Sequence, residues 1–374
     1  MNTRLQVEHP VTEMITGLDL VELMIRIAAG ERLPLTQDEV RREGWAIECR
    51  INAEDPFRNF LPSVGRLVKF RPPEEVPGEV RVDTGVYEGG EISMYYDSMI
   101  AKLITHGGTR AEAIARMRDA LNAFVIRGIS SNIAFQAALM RHPRFFAGQL
   151  TTGFIAEEFP GGFSAADAAL DEPALLVVVA AAVHRCYRDR ASGIGGQMPG
   201  HELKIREDWV VSMRGGLHAV RTTKIDGGYR IDHQEKSYAL LSGWRFGDIL
   251  FRGTVNGEPF CLQVERIGLR YRLIHWGTEV QVQVITPRVA ELLSLMPEKA
   301  APDTSRLLLS PMPGLLTQVA VTVGQEVKAG ETLAVIEAMK MENVLKAERD
   351  GVVEAILAEA GASVAVDQAI LRFA

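Results

Sequence analysis

The period of apolar positions changes twice along the chain, and each change marks a different kind of element. After Asp19, the residues Leu20, Met24, Ile27 and Ala28 recur at helical spacing and Gly30 follows, which predicts a capped helix over 20–29. Ile114, Met117, Leu121 and Phe124 predict a second helix over 110–125 with one buried face. Asp171, Glu172 and Pro173 then form a helix start. The segment after them is apolar all round from 175 to 183 and runs to about 190, as a helix enclosed on every side does. Beyond the glycines at 193–200 the period drops to that of short strands, expected at 202–206, 209–213, 218–224, 229–232, 260–265, 271–275 and 279–285. Asp226-Gly227 and Asn256-Gly257 supply tight hairpins. Eight or so antiparallel strands around one apolar helix predict a barrel wrapped on that helix. The last seventy residues repeat themselves at an offset of 37. Gly314 matches Gly351, Val319 Ile356, Gly324 Gly361, Val327 Val364 and Leu333 Ile370. Two such halves predict a small all-β sandwich.

A chain of 374 residues is too long for one ordinary core, so two or three domains are expected. We place them at 1–160, 161–300 and 301–374, the last preceded by an exposed Pro-, Ala-, Glu- and Lys-containing linker. Hydrophobic and charged contents of 47% and 24% are those of a soluble globular protein. The net charge of −7, with no long basic run, argues against nucleic acid as a partner. Cys49, Cys186 and Cys261 fit no zinc spacing and suggest buried thiols in a reducing compartment. The apolar run at 174–183 is too short to span a bilayer, and no signal or transit peptide is expected before Asn2. A cytoplasmic protein, or a mitochondrial matrix one if eukaryotic, is expected.

Two stretches carry chemistry. In Glu337-Ala338-Met339-Lys340-Met341-Glu342, a strongly hydrated ammonium lies between two methionines at the junction of the repeats, where a hairpin tip falls. Asn2-Thr3-Arg4-Leu5-Gln6-Val7-Glu8-His9-Pro10 collects groups suited to an anion site. Arginine offers a planar fork for a small oxyanion such as bicarbonate, a carboxylate can act as base, and an amide can enter a metal shell. His184, His218, His233 and His275 are scattered and read as structural.

The stretch Ala338-Met339-Lys340-Met341, with Ser310-Pro311-Met312-Pro313-Gly314 before it, resembles the biotinyl domain of the biotin-dependent acyl-CoA carboxylases. Residues 2–13 and Trp45-Ala46-Ile47-Glu48-Cys49-Arg50-Ile51-Asn52-Ala53-Glu54-Asp55-Pro56 resemble the C-terminal lobe of that family's ATP-grasp biotin carboxylase. The barrel segment resembles the family's BT domain, and Leu295-Met296-Pro297-Glu298-Lys299 resembles its propionyl-CoA branch. The resemblance implies a multidomain α+β chain: a biotin carboxylase C-terminal lobe, a helix-centred antiparallel β-barrel and an all-β carrier sandwich. It implies biotin joined to Lys340, within the motif of Ala338, Met339 and Met341. Glu8 would deprotonate bicarbonate held by Arg4, Gln6 and the Val7 backbone. Arg50 would stabilise the biotin enolate, and Asn2 would help bind Mg2+ or Mn2+.

It further implies a C–C bond-forming ligase subunit using ATP, serving a carboxyltransferase β subunit that makes methylmalonyl-CoA, with a biotin protein ligase as modifier and an α6β6-type assembly. Neither nucleic acid nor membrane is among the implied partners. The glycine-rich phosphate loop and metal-binding glutamates of the family's ATP-grasp lobes are not found in the sequence. The expectation is therefore a C-terminal portion that does not carboxylate biotin alone and needs the N-terminal ATP-grasp part. Alternatives are the methylcrotonyl-CoA or broad acyl-CoA carboxylase α subunit and, from another class, a non-enzymatic biotinylated carrier or docking protein.

Overall fold

The computed structural model describes residues 2–168, 172–297, 306–339 and 341–374. They form two compact units, one of residues 1–117, 126–165 and 299–374 and the other of 118–125 and 166–298.

The first unit opens with helices α1, His9–Thr16, and α2, Leu20–Ala28. Pro10 stands in the first turn of α1, where its missing N–H costs nothing. Asp19 caps α2 by accepting from the Glu22 amide at 2.8 Å, as its position predicts. The apolar face that the spacing predicts is not covered among the described residues. No residue of α2 is buried, and Met24 and Ile27 are 50% and 49% exposed. Periodicity marks a face able to pack; it does not supply what packs on it.

Strands β1, Trp45–Asn52, β2, Val80–Thr84, and β3, Met99–Gly107, form an antiparallel sheet in the order β1-β3-β2. Alternation along β1 sends Ile47, Cys49 and Ile51 into the core and Glu48, Arg50 and Asn52 to the other face. The register sets Arg50 opposite Lys102 of β3. Helix α3 spans Arg110–Ala123, with Ile114, Met117 and Leu121 buried as predicted. Helix α4 is Ile133–Arg141.

In the second unit helix α5, Pro173–Ser192, keeps 175–183 buried on all sides. Eight antiparallel strands close around it: β4 Asp208–Met213, β5 Gly216–Ile225, β6 Gly228–His233, β7 Lys236–Leu241, β8 Leu250–Val255, β9 Glu258–Ile267, β10 Arg270–His275 and β11 Thr278–Ile285. Apolar residues of every strand meet the helix. Asn256 and Gly257 take φ of 53° and 90°, the left-handed pair a type I′ hairpin requires. The expected strand at 202–206 is absent, since that segment forms no ladder. β7 and β8 were not foreseen.

The carrier region of the first unit holds β12 Leu307–Leu309, β13 Gly314–Val319, β14 Glu326–Val327, β15 Thr332–Ala338, β16 Met341–Lys346, β17 Gly351–Ile356, β18 Ser363–Val364 and β19 Ala369–Phe373. The sequence repeat is visible as structure, because β13, β14 and β15 start 37 residues before β17, β18 and β19. The sheets run β12-β19-β17-β14 and β16-β15-β13-β18, so each half lends one short strand to the other's sheet. A Cβ at Gly314 would lie 2.5 Å from the Ile336 side chain, so only glycine fits beneath that strand.

Candidate functional site

The pleat of β1 and the start of α1 together make an open cleft of about 750 Å3, lined by Glu8, Val11, Thr12, Glu48, Arg50, Asn52, Asn132 and Gln136. Across 42 residues of sequence, the Arg50 guanidinium donates to the Glu8 carboxylate. Its Nε also lies 3.7 Å from Glu48 Oε1. The strand carrying Arg50 is held from behind. Asn132, at the start of α4, donates to the Arg50 carbonyl at 3.0 Å and accepts from the Asn52 amide at 2.9 Å.

The start of α1 is tied to the same sheet. Lys102 Nζ donates to the Val7 carbonyl at 3.3 Å and lies 3.1 Å from Asp83 Oδ2. Arg81 joins Asp83 and Glu13, at 2.7 Å each. Glu13 in turn lies 2.9 Å from His9 Nδ1 and accepts from the Leu20 amide. Burial raises the Glu13 carboxyl pKa, but the hydrogen bonds from Arg81, His9 and Leu20 more than offset it, so Glu13 ionises below its ordinary range. These ties fix the approach of Glu8 to Arg50.

Glu48 is the odd member of the cleft. Burial pushes its carboxyl up, against the pull of Lys102 and Arg50. Among the described residues its Oε2 and the Asn52 Oδ1 are buried with no hydrogen-bond partner. A cleft with an arginine fork, a carboxylate beside it and two unsatisfied oxygen acceptors can take a small anion together with a ligand carrying N–H donors. A ureido ring offers such donors.

The predicted residues divide. Glu8 and Arg50 meet. Val7 is near, its carbonyl engaged by Lys102. Arg4 and Gln6 lie exposed and outside the lining, with Arg4 donating to the Leu5 carbonyl and Gln6 to that of Arg4. Asn2 is exposed. Among the described residues no three His, Cys, Asp or Glu side chains group as metal ligands. The donor set of the described residues therefore does not by itself fit a complete magnesium shell. Sequence reasoning missed Glu48, Lys102, Asn52, Asn132 and Gln136. The alternation of β1 could have placed Glu48 and Asn52 on the face of Arg50.

Lys340 lies outside the described residues. Its neighbours are defined. Ala338 pairs with Met341 across the hairpin, Met339 takes a φ of 49°, Ala338 and Met339 are buried, and Met341 is 48% exposed.

In the barrel, His184 accepts or donates with Tyr271 at 3.1 Å and is pushed down to about 4 by burial. Among the described residues the barrel histidines form no cluster of metal ligands, and His218 and His233, read as scattered in the sequence, lie with ring centroids 5.5 Å apart. Cys49 is buried and pushed up to about 12, while Cys186 and Cys261 are half-buried.

Family models match in four places. Residues 48–157 match the biotin carboxylase C-terminal domain, 176–299 the propionyl-coenzyme A carboxylase BT domain, 307–373 the biotin-requiring enzyme model, and 1–36 the carbamoyl-phosphate synthase L chain ATP binding domain. The propionyl-CoA carboxylase alpha chain of Ruegeria pomeroyi is 50% identical over 100% of this chain and 58% of its own length. The human mitochondrial propionyl-CoA carboxylase alpha chain is 39% identical over 97% of this chain and 51% of its own. The mouse mitochondrial methylcrotonoyl-CoA carboxylase subunit alpha is 35% identical over 97% and 51%. The chain thus spans about half the length of the curated relatives it matches.

Proposed function

This chain belongs to the biotin-dependent acyl-CoA carboxylase family, and on that premise we propose that it forms part of a propionyl-CoA carboxylase α subunit. Its relatives of that name are the more similar, at 50% and 39% identity against 35% for the methylcrotonoyl relative. The domains are read as 1–160, 161–300 and 301–374, with the first 36 residues matching an ATP-binding model. The meeting of Glu8 and Arg50 in one cleft, far apart in sequence, carries the reading.

In it, Glu8 takes the proton of bicarbonate, and Arg4, Gln6 and the Val7 backbone bind that anion. Arg50 would hold negative charge on the ureido oxygen, as oxyanion donors do. Biotin, joined to Lys340, supplies the nitrogen that carries the carboxyl group. The amide bond to Lys340 leaves a neutral arm, and tethering makes delivery intramolecular. Asn2 would supply one ligand to the Mg2+ that ATP would bring in the parent enzyme. The barrel docks a carboxyltransferase β subunit in an α6β6-type assembly. A biotin protein ligase modifies Lys340.

Intact-mass analysis after expression with such a ligase tests the carrier half. One added biotin is expected, lost in Lys340→Arg because guanidinium is a poor acyl acceptor. A biotin that persists there contradicts the assignment. For the substrate, the assembled enzyme should turn over propionyl-CoA faster than methylcrotonyl-CoA; the reverse order would move it to the other branch.

A further inference from the structure

Within the first unit the carrier hairpin does not stand clear of the lobe. The Met339 backbone N–H, at the hairpin turn, donates to the Met94 carbonyl at 2.6 Å. Leu61 packs against the carrier core of Met312, Leu316, Ile336 and Leu371. Arg58 Nη2 lies 3.8 Å from Asp367 Oδ1. Left-handed backbone occurs at these places too. Asn59, Phe60, Met339 and Asp367 all hold left-handed φ, of 54°, 58°, 49° and 59°. Non-glycine residues held there cost about 1 kcal/mol or more each, and persist only where their surroundings fix them. Met339 is 5% exposed although it sits at a hairpin turn.

The Met94 loop is tied by hydrogen bonds to the residues that follow the Arg50 strand. Met94 belongs to the loop that ends at Ser98. The Ser98 carbonyl accepts from the Ala53 amide at 2.7 Å, and its hydroxyl donates to Glu54. Ala53 stands three residues beyond Arg50, roughly 10 Å along an extended chain. The Met339 turn, the carrier core and Asp367 thus meet the segments that are hydrogen-bonded to the end of the Arg50 strand.

We propose that Arg58, Leu61 and the Met94 carbonyl form a seat for the carrier tip, positioning the arm on Lys340 for carboxylation at Arg50. They are positioning residues and do not touch the reacting atoms. This rests on the reading of Lys340 as the biotin-bearing residue. The geometric half of the test does not.

Hydrogen exchange on the full chain reads the seat directly. The Met339 amide should be protected. In the Arg58→Glu, Leu61→Ala double variant it should exchange about tenfold faster. Arg58→Glu combined with Asp367→Arg should exchange more slowly than Arg58→Glu alone. Unchanged Met339 exchange in the double variant would overturn the seat whether or not Lys340 carries biotin. In the full-length enzyme, the double variant should slow carboxylation of its own carrier about tenfold while free biotin is carboxylated at the parent rate. Equal loss on both would mean that the lobe itself is disturbed, and an unaffected carrier rate would mean a resting contact. Either result would overturn the proposal.

Discussion

The barrel and the cleft of the first lobe use the same device, a pleated sheet, to opposite ends. In the barrel every strand turns apolar side chains onto α5, and residues 177–183 of that helix are at most 1% exposed. The polar groups at the end of that helix are largely paired, although among the described residues the His184 Nε2 is buried without a hydrogen-bond partner. Arg185 donates to the Thr222 carbonyl at 2.8 Å and to Asp189 at 2.7 Å, and Tyr229 donates to Asp189. In the lobe the core face of β1 is equally apolar, but the other face holds Glu48, Arg50 and Asn52, with two buried oxygens left unsatisfied. The barrel is built to persist. The cleft gives up stability to keep acceptors and charge available to a ligand, the usual trade at a site that must bind.

If the barrel persists because its centre is dry, an unpaired carboxylate there should be catastrophic. Val179→Asp is expected to cost more than about 4 kcal/mol, seen as loss of the barrel's denaturant transition. A smaller effect tests the polar end of the helix. His184 is held neutral by burial, with its pKa lowered from 6.5 to about 4. A group depressed in this way stabilises the fold above its unfolded pKa, and that stability is lost as pH falls through the folded value. The barrel should therefore weaken between about pH 6.5 and pH 4 by roughly 2–3 kcal/mol, and His184→Gln should flatten that dependence. The smallest effect has the opposite sign and belongs to the cleft. Glu48, raised by burial, stabilises below its unfolded pKa of ~4.3 and loses that contribution as pH rises through its folded value. Glu48→Gln should thus raise the lobe's stability at neutral pH, with no gain at pH 3. A loss of stability at neutral pH would show Glu48 to be an ordinary structural carboxylate.

The two regions also differ in how far their sequences could be read. The buried helix is announced by nine apolar residues in a row, and the carrier by its repeat; in both, local pattern and tertiary environment agree. β7 escaped notice because only Leu240 of its six residues is buried. β8 escaped because Gly253 interrupts it, placed where a Cβ would meet the Leu241 carbonyl at 2.2 Å. Glu8 and Arg50 were recognisable as residues, but their meeting was not. Lys102, Asn132 and Gln136 reach the Arg50 strand through register and packing across 52 to 86 residues, and no local spacing encodes that.

Whether this cleft is the place where biotin receives its carboxyl group turns on Arg50. In the full-length enzyme carrying biotin, Arg50→Ala should reduce bicarbonate-dependent carboxylation by about 10²–10³-fold, the usual cost of one lost oxyanion donor. Its biotin content by intact mass should be unchanged. A variant that carboxylates biotin at the parent rate would contradict the account.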